Sequence, residues 1–147
     1  MFMEDQEYHR MPTTPSRLLK GGLFALAGLV LLTATVVQTS SRADFLQSAL
    51  QADGNVVALN AGSSHPEIAF TDSSGARISY PQGGWIYGYQ VGIQVKVYYR
   101  AEAPETSAVI DDFGALWGTS ALLGLLGSIF MVSGLLTLFR HPHNASA

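Results

Sequence analysis

Cysteine is absent from the 147-residue chain. That removes disulfides, thiolate nucleophiles and thiolate-bound zinc together, and it leaves the redox compartment open. Charge is scarce too. Charged residues make up 13% of the chain, against about 25% in an ordinary soluble domain. The formal net charge of −3 comes with no basic stripe that could neutralise a row of phosphates, so nucleic acid is not an expected partner. The motifs HExxH and GxSxG and a phosphate-cradling loop are missing as well, and enzyme activity has no positive support. His65 precedes Pro66 in a loop with no catalytic signature around it. His141 and His143 bracket Pro142 without further ligands, which is a poor metal site. Asn144-Ala145-Ser146 spells a glycosylation triplet, but a cytoplasmic position would make it noise. The expectation is a non-enzyme with no cofactor and no metal.

Apolar residues, at 48%, are what the chain has in plenty, and two runs concentrate them. Residues 117–139 carry no charge: Leu, Ile, Val and Phe fill the run, Gly, Ser and Thr punctuate it, and Arg140 stops it. The earlier run, residues 21–37, is apolar apart from Thr33 and Thr35. With Leu18, Leu19 and a snorkelling Lys20 it reaches the roughly 20 residues that a bilayer core of about 30 Å requires. Residues 18–38 and 112–139 are therefore expected to be transmembrane helices. Ser16 can cap the first, and Asp111 and Asp112 favour the positive end of the second. Trp117 suits an interfacial aromatic belt. Residues 1–17, polar and broken by Pro12 and Pro15, form a tail, as do residues 140–147.

A cleaved signal peptide is the rival reading of the first run, with Arg10, Arg17 and Lys20 as its basic flank and Ser41-Arg42-Ala43 as small residues for cleavage. Such apolar cores span about 7–15 residues, and this one is longer, which favours an uncleaved anchor. Residues 39–53 keep a helical pattern, with Phe45, Leu46, Ala49 and Leu50 on one stripe and Asp53-Gly54 as a stop. The expectation is an amphipathic stalk, with a separate interfacial helix as the alternative.

Between the helices, residues 54–111 read as a small β domain. Residues 56–59 form a short strand. Ile68 and Phe70 alternate with polar neighbours, Asp72-Ser73-Ser74-Gly75 is a hairpin loop, and Ile78 and Tyr80 face inward on the return strand. Residues 93–99 alternate cleanly, with Ile93, Val95, Val97 and Tyr99 inward. Residues 107–110 offer a last short strand. The fold class expected is membrane α+β: a two-helix transmembrane hairpin with an intervening antiparallel β meander or partial barrel.

Basic residues decide the orientation. Arg10, Arg17, Lys20 and Arg140 flank the helices on one side, with Arg42 close on the other. Both termini are expected in the cytoplasm and the β domain outside, in a bacterial inner membrane. No ionisable residue lies midway along either helix, which argues against a pump or transporter. Small residues form stripes instead: Gly114, Gly118, Ser120, Gly124 and Ser128 on the second helix, and Gly21, Ala25 and Gly28 on the first. These suit close helix packing, within the hairpin or between copies. Trp85, Tyr87 and Tyr89 in a Gly-rich loop are candidate partner-binding residues, with core filling or headgroup contact as alternatives.

A set of features resembles the bacterial domain-of-unknown-function family thirty-five ninety-two: Pro66 before a strand, Phe70-Thr71-Asp72 with Gly75, Gly92 leading into Val95-x-Val97-x-Tyr99, and Ile110-Asp111-x-Phe113 running to Trp117. The resemblance covers most of the chain from the first helix onward. It implies the order helix, small β domain, helix, and transfers no catalytic residue. The function expected on these grounds is an accessory or assembly subunit whose β domain contacts a membrane or periplasmic protein, or a second copy, alongside the lipid bilayer. An immunity-type inhibitor of a membrane-acting toxin is the alternative. The cysteine-free background makes the topology testable: Ser64→Cys should react with a membrane-impermeant thiol reagent on intact spheroplasts, and Ser146→Cys should not. The reverse labelling would overturn the orientation.

Overall fold

One helix, α1, runs from Thr14 to Ser48 in the computed structural model, which describes residues 14–139. The greater part of the expected N-terminal tail, and Arg140, His141, His143 and Asn144-Ala145-Ser146, lie outside the described residues. The elements that follow are β1 (Leu50–Leu59), β2 (Pro66–Thr71), β3 (Arg77–Pro81), β4 (Gln94–Tyr99), α2 (Pro104–Ser107), β5 (Val109–Ile110), α3 (Phe113–Leu116) and α4 (Gly118–Phe139). The chain forms two units. One holds the described residues up to Leu32 and from Leu125 onward; the other is Thr33–Gly124.

The first unit is a helix pair. A Cβ added to Gly28 would meet the Met131 backbone and the Gly127 carbonyl, and one on Gly134 would meet Ala25 and the Gly21 carbonyl. Backbone therefore touches backbone, which only glycine permits at such a separation. Gly21 and Gly28 on α1, and Gly127 and Gly134 on α4, are buried and each pair is seven residues apart. A seven-residue repeat keeps one seam facing the partner over successive turns. Phe24 and Phe130 stack beside the seam at 5.5 Å. The outward faces stay apolar: Leu23, Leu26, Leu29, Leu125, Ile129 and Leu136 are exposed.

The second unit is a five-stranded antiparallel sheet in the order β3-β2-β1-β4-β5. A curled antiparallel sheet flanked in the chain by two long helices is compatible with the expected meander or partial barrel, but the strand order is not that of a simple meander. β1 lies at the centre, paired to β2 on one side and β4 on the other, and the successive strands β3 and β4 do not pair. β1 also begins earlier than expected. Residues 50–53, read as the end of a helical stalk, are strand, and Asp53-Gly54 is not a helix stop. Gly54 is needed for packing: a Cβ there would press on Val97 Cγ2 at 3.0 Å and on Phe70 Cβ at 3.3 Å. Its missing side chain lets Phe70 close on Tyr99, ring to ring at 5.0 Å, with Tyr80 edge-on at 6.1 Å. Val56, Ile68, Ile86, Val97 and Ile110 complete this buried cluster. Phe45 at the end of α1 joins a smaller one with Val109 and Leu116.

The expected hairpin is present. Asp72 Oδ1 accepts from the Ser74 hydroxyl at 2.6 Å and from the Ser74 and Ala76 N–H groups at 2.9 Å each, and Gly75 takes the left-handed conformation at φ +88°.

Strand pairing leaves β3 and β5 as the two edges, and one side chain spans them. Gln82, directly after β3 and only 5% exposed, presents Oε1 to the Ile110 N–H of β5 at 2.9 Å and to the Tyr80 hydroxyl at 3.0 Å. Its own N–H donates to the Pro66 carbonyl at 2.9 Å. The sheet is thus an open one whose edges a buried amide ties together.

Leaving two buried donors unpaired costs on the order of 1–3 kcal/mol each. Gln82→Ala should accordingly lower unfolding stability by about 2–4 kcal/mol, read by denaturant titration in detergent. Asn60→Ala, at an exposed side chain bonded to Glu67, should change it by less than about 0.5 kcal/mol.

Candidate partner-binding surface

Residues 82–93 connect β3 to β4 as an irregular loop, yet backbone bonds pin it at intervals. Trp85 N–H donates to the Gly114 carbonyl at 3.2 Å, Tyr89 N–H to Ser63 at 3.2 Å, and Gly92 N–H to Val56 at 2.9 Å, while the Ile93 carbonyl accepts from Val56 N–H at 2.9 Å. Gly84, at φ +112°, lets the chain pass against the Ala115 backbone, where a Cβ would stand 2.9 Å from Ala115 Cα. Ile86 is driven into the core and is 1% exposed, while Tyr87 is 75% and Trp85 53% exposed. Val91 and Ile93 add further exposed apolar surface. A tethered loop that displays aromatics pays little ordering entropy when it binds a partner.

The three candidate aromatics therefore occupy different positions. Trp85 and Tyr87 are displayed. Tyr89 is half-buried, and its hydroxyl donates to Asp112 Oδ2 at 2.9 Å. Asp112 also caps α3, with Oδ1 accepting from Gly114 N–H at 2.7 Å and Ala115 N–H at 3.4 Å. One carboxylate thus fixes both the loop and the turn into the second long helix. Tyr89, Ile93, Gln94, Val95, Lys96 and Asp111 help line a groove of about 300 Å³ beside the loop.

The small residues divide in the same way. Gly21, Ala25 and Gly28 lie on α1 against α4, and Gly124 faces Thr35. Gly114 and Gly118 do not serve the helix pair: Gly114 abuts the Trp85 carbonyl, and Gly118 abuts the Trp85 side chain. Ser120 is buried and Ser128 exposed. The seam instead uses Gly127 and Gly134, which a stripe stepping by four misses. The alternating 3–4 spacing from Gly124 through Gly127, Met131 and Gly134 to Leu138, against Gly21, Ala25, Gly28, Leu32 and Thr35, was the available signal. The expected second helix also begins differently: α3 ends at Leu116, and Trp117 (φ −123°, ψ −10°) separates it from α4.

Two further carboxylates serve local structure. Glu67 accepts from Ser79 and Asn60 at 2.8 Å each, and Asp72 holds the hairpin. The Ser74 hydroxyl, helped by the loop N–H groups, keeps Asp72 below the usual carboxylate range. Among the described residues, no three His, Asp or Glu side chains gather to hold a metal. Burial raises the Tyr80 hydroxyl, with the neighbouring Tyr89 adding to it. Burial also raises Tyr89, and the bond to Asp112 and the charge of that carboxylate push in the same direction.

By architecture the chain falls in the class of small proteins with two long apolar helices and one β unit, here displaying aromatics on a tethered loop. The comparison with known proteins gives that class its content. The chain is 56% identical over 117 residues to the Immune protein Tsi4 of Pseudomonas aeruginosa, covering 80% of this chain and 81% of that protein. The chain belongs to the family of that immunity protein. No protein-family model matches it, and no solved structure does. The expected accessory or assembly subunit is overturned by this kinship, which favours the toxin-immunity alternative.

Both tyrosines are raised in the folded state, so their contribution is intact below the unfolded value of about 10 and is lost as pH rises beyond it. Unfolding stability should fall above about pH 10, and Tyr89→Phe should soften that fall. At neutral pH the same variant should cost about 1 kcal/mol for the lost hydrogen bond. Calorimetry from pH 7 to 11 measures both.

Proposed function

We propose that this chain is an immunity protein of the bacterial inner membrane, which neutralises a membrane-acting toxin by binding it through the β unit. The observation that carries the proposal is 56% identity to a named immunity protein over 80% of the chain. Two helices, Ser16–Ser48 and Gly118–Phe139, are long and apolar enough to cross a membrane, and only 11% of each apolar window is buried within the protein. The core helix of a soluble fold would be mostly buried, so lipid is the natural solvent for these faces. The termini lie in the cytoplasm and the β unit outside, on the argument from flanking basic residues. The helix–β–helix order is the one implied by the resemblance to the domain-of-unknown-function family, and we retain that kinship as part of the proposal.

Inhibition here is stoichiometric binding, with no reaction catalysed. Trp85 and Tyr87 are the anchors, because they are the aromatics that the tethered loop displays. The toxin is the protein partner, and its contacts exclude it from the bilayer or from its own assembly.

Contact co-culture with the parent strain, which makes the toxin, tests this. Cells lacking the gene should be outcompeted and the wild-type gene should rescue them. A Trp85→Ala/Tyr87→Ala variant, present in the membrane at normal level, should rescue at least about tenfold less well, as expected when interface anchors are truncated. Unchanged survival of the deletion strain would sink the immunity reading; full rescue by the double variant would move the contact elsewhere.

A further inference from the structure

Arg42 and Arg100 come from distant parts of the second unit and converge on one ring. Their guanidinium carbons lie over Phe45, 5.7 Å and 5.3 Å from its centroid. Two like charges are thereby held no farther apart than the sum of those distances. Cation–π contact supports each by about 0.5–1 kcal/mol at an exposed site, but a neutral ring does not discharge the pair. Among the described residues, neither arginine forms an ion pair; the salt bridge present joins Lys96 to Asp53.

Phe45 is itself 6% exposed and locked against Val109 and Leu116. Arg100 is set by its turn, where its N–H donates to Ser107 Oγ at 2.8 Å and that hydroxyl donates to the Ala103 carbonyl at 2.6 Å. The two arginines border a groove of about 370 Å³ together with Gln38, Ser41, Phe45 and Thr106. An amide and three hydroxyls, that of Ser107 included, thus accompany two guanidinium forks. The nearest acids by chain position, Asp44 and Glu102, line a neighbouring groove that shares Arg100.

We propose that this groove binds a phosphate group, presented by a phospholipid headgroup. Guanidinium matches phosphate oxygens through paired N–H donors, and the position along α1 selects the lipid. The apolar run ends at Val37, and Arg42 lies five residues on in the same unbroken helix, about 7.5 Å at 1.5 Å per residue. The headgroup layer on each side of the hydrocarbon core is about 5–8 Å deep. An arginine on the outer flank also opposes the charge bias that orients the protein, so its position calls for a local role. This inference rests on the membrane reading above.

The test uses the full chain in detergent, with thermal unfolding followed on adding phosphatidylglycerol, diacylglycerol of the same acyl chains, or inorganic phosphate. Phosphatidylglycerol should raise Tm by at least about 3 °C, and diacylglycerol should not. R42Q/R100Q should lose the shift and bind phosphatidylglycerol at least about tenfold more weakly, while Arg77→Gln, at an exposed position of the edge strand β3, should keep it. Carbonate washing of membranes separates the two readings. Wild-type release would remove the anchor and the lipid source with it. Retention together with an undiminished phosphatidylglycerol shift in R42Q/R100Q would overturn the groove alone. An equal shift from inorganic phosphate would assign a free anion and overturn the lipid. Failure of R42Q/R100Q to protect cells with its lipid response intact would assign the pair to the toxin.

Discussion

The buried amide of Gln82 is the bond on which the β unit turns. Backbone ladders join β3 to β2, β2 to β1, β1 to β4 and β4 to β5, and then stop at two edges. Gln82 Oε1 accepts from the backbone of the far edge strand and from the hydroxyl of Tyr80 on the near one. In a low-dielectric interior such a group is either satisfied or expensive, so the two ends of the sheet are held together or the core opens. The loop that follows, with its displayed aromatics, begins at this residue. Its geometry inherits the closure.

Two places where side chains are missing do as much as those where they are present. Gly54 leaves room for Phe70 to reach Tyr99 above the central strand. Gly28 and Gly134 leave room for helix backbones to touch. The first serves burial from water. The second serves close helix packing, where small residues let two backbones approach. The same residue type therefore serves two kinds of packing in one short chain.

Asp112 joins the aromatic loop to the turn that leads into the second long helix. It caps α3 and accepts the Tyr89 hydroxyl, so the aromatic loop and the entry to the second long helix share one carboxylate. One side chain thereby preorganises the loop within the small unit. The arginines over Phe45 lie apart from the displayed aromatics in the chain.

Periodicity determined much of this in advance. Apolar runs of about 20 residues mark both long helices, which are long and apolar enough to cross a bilayer. Alternation marks β2, β3 and β4, because a half-buried strand must alternate. Asp72-Ser73-Ser74-Gly75 marks the hairpin through local bonding alone. What stayed hidden depended on contacts distant in sequence. The central place of β1 follows from pairing with strands on both sides, and its first residues, Leu50 to Asp53, carry a pattern that fits a helix equally well. Gly54 reads as a helix stop until Phe70 and Val97 are seen to close over it. Tyr87 and Tyr89 look alike in a Gly-rich loop, and only Asp112, 23 residues on from Tyr89, makes one of them structural. Gln82 is an ordinary polar residue in sequence. Its importance comes from the edge strand it meets 28 residues later, a partner that local chemistry cannot name.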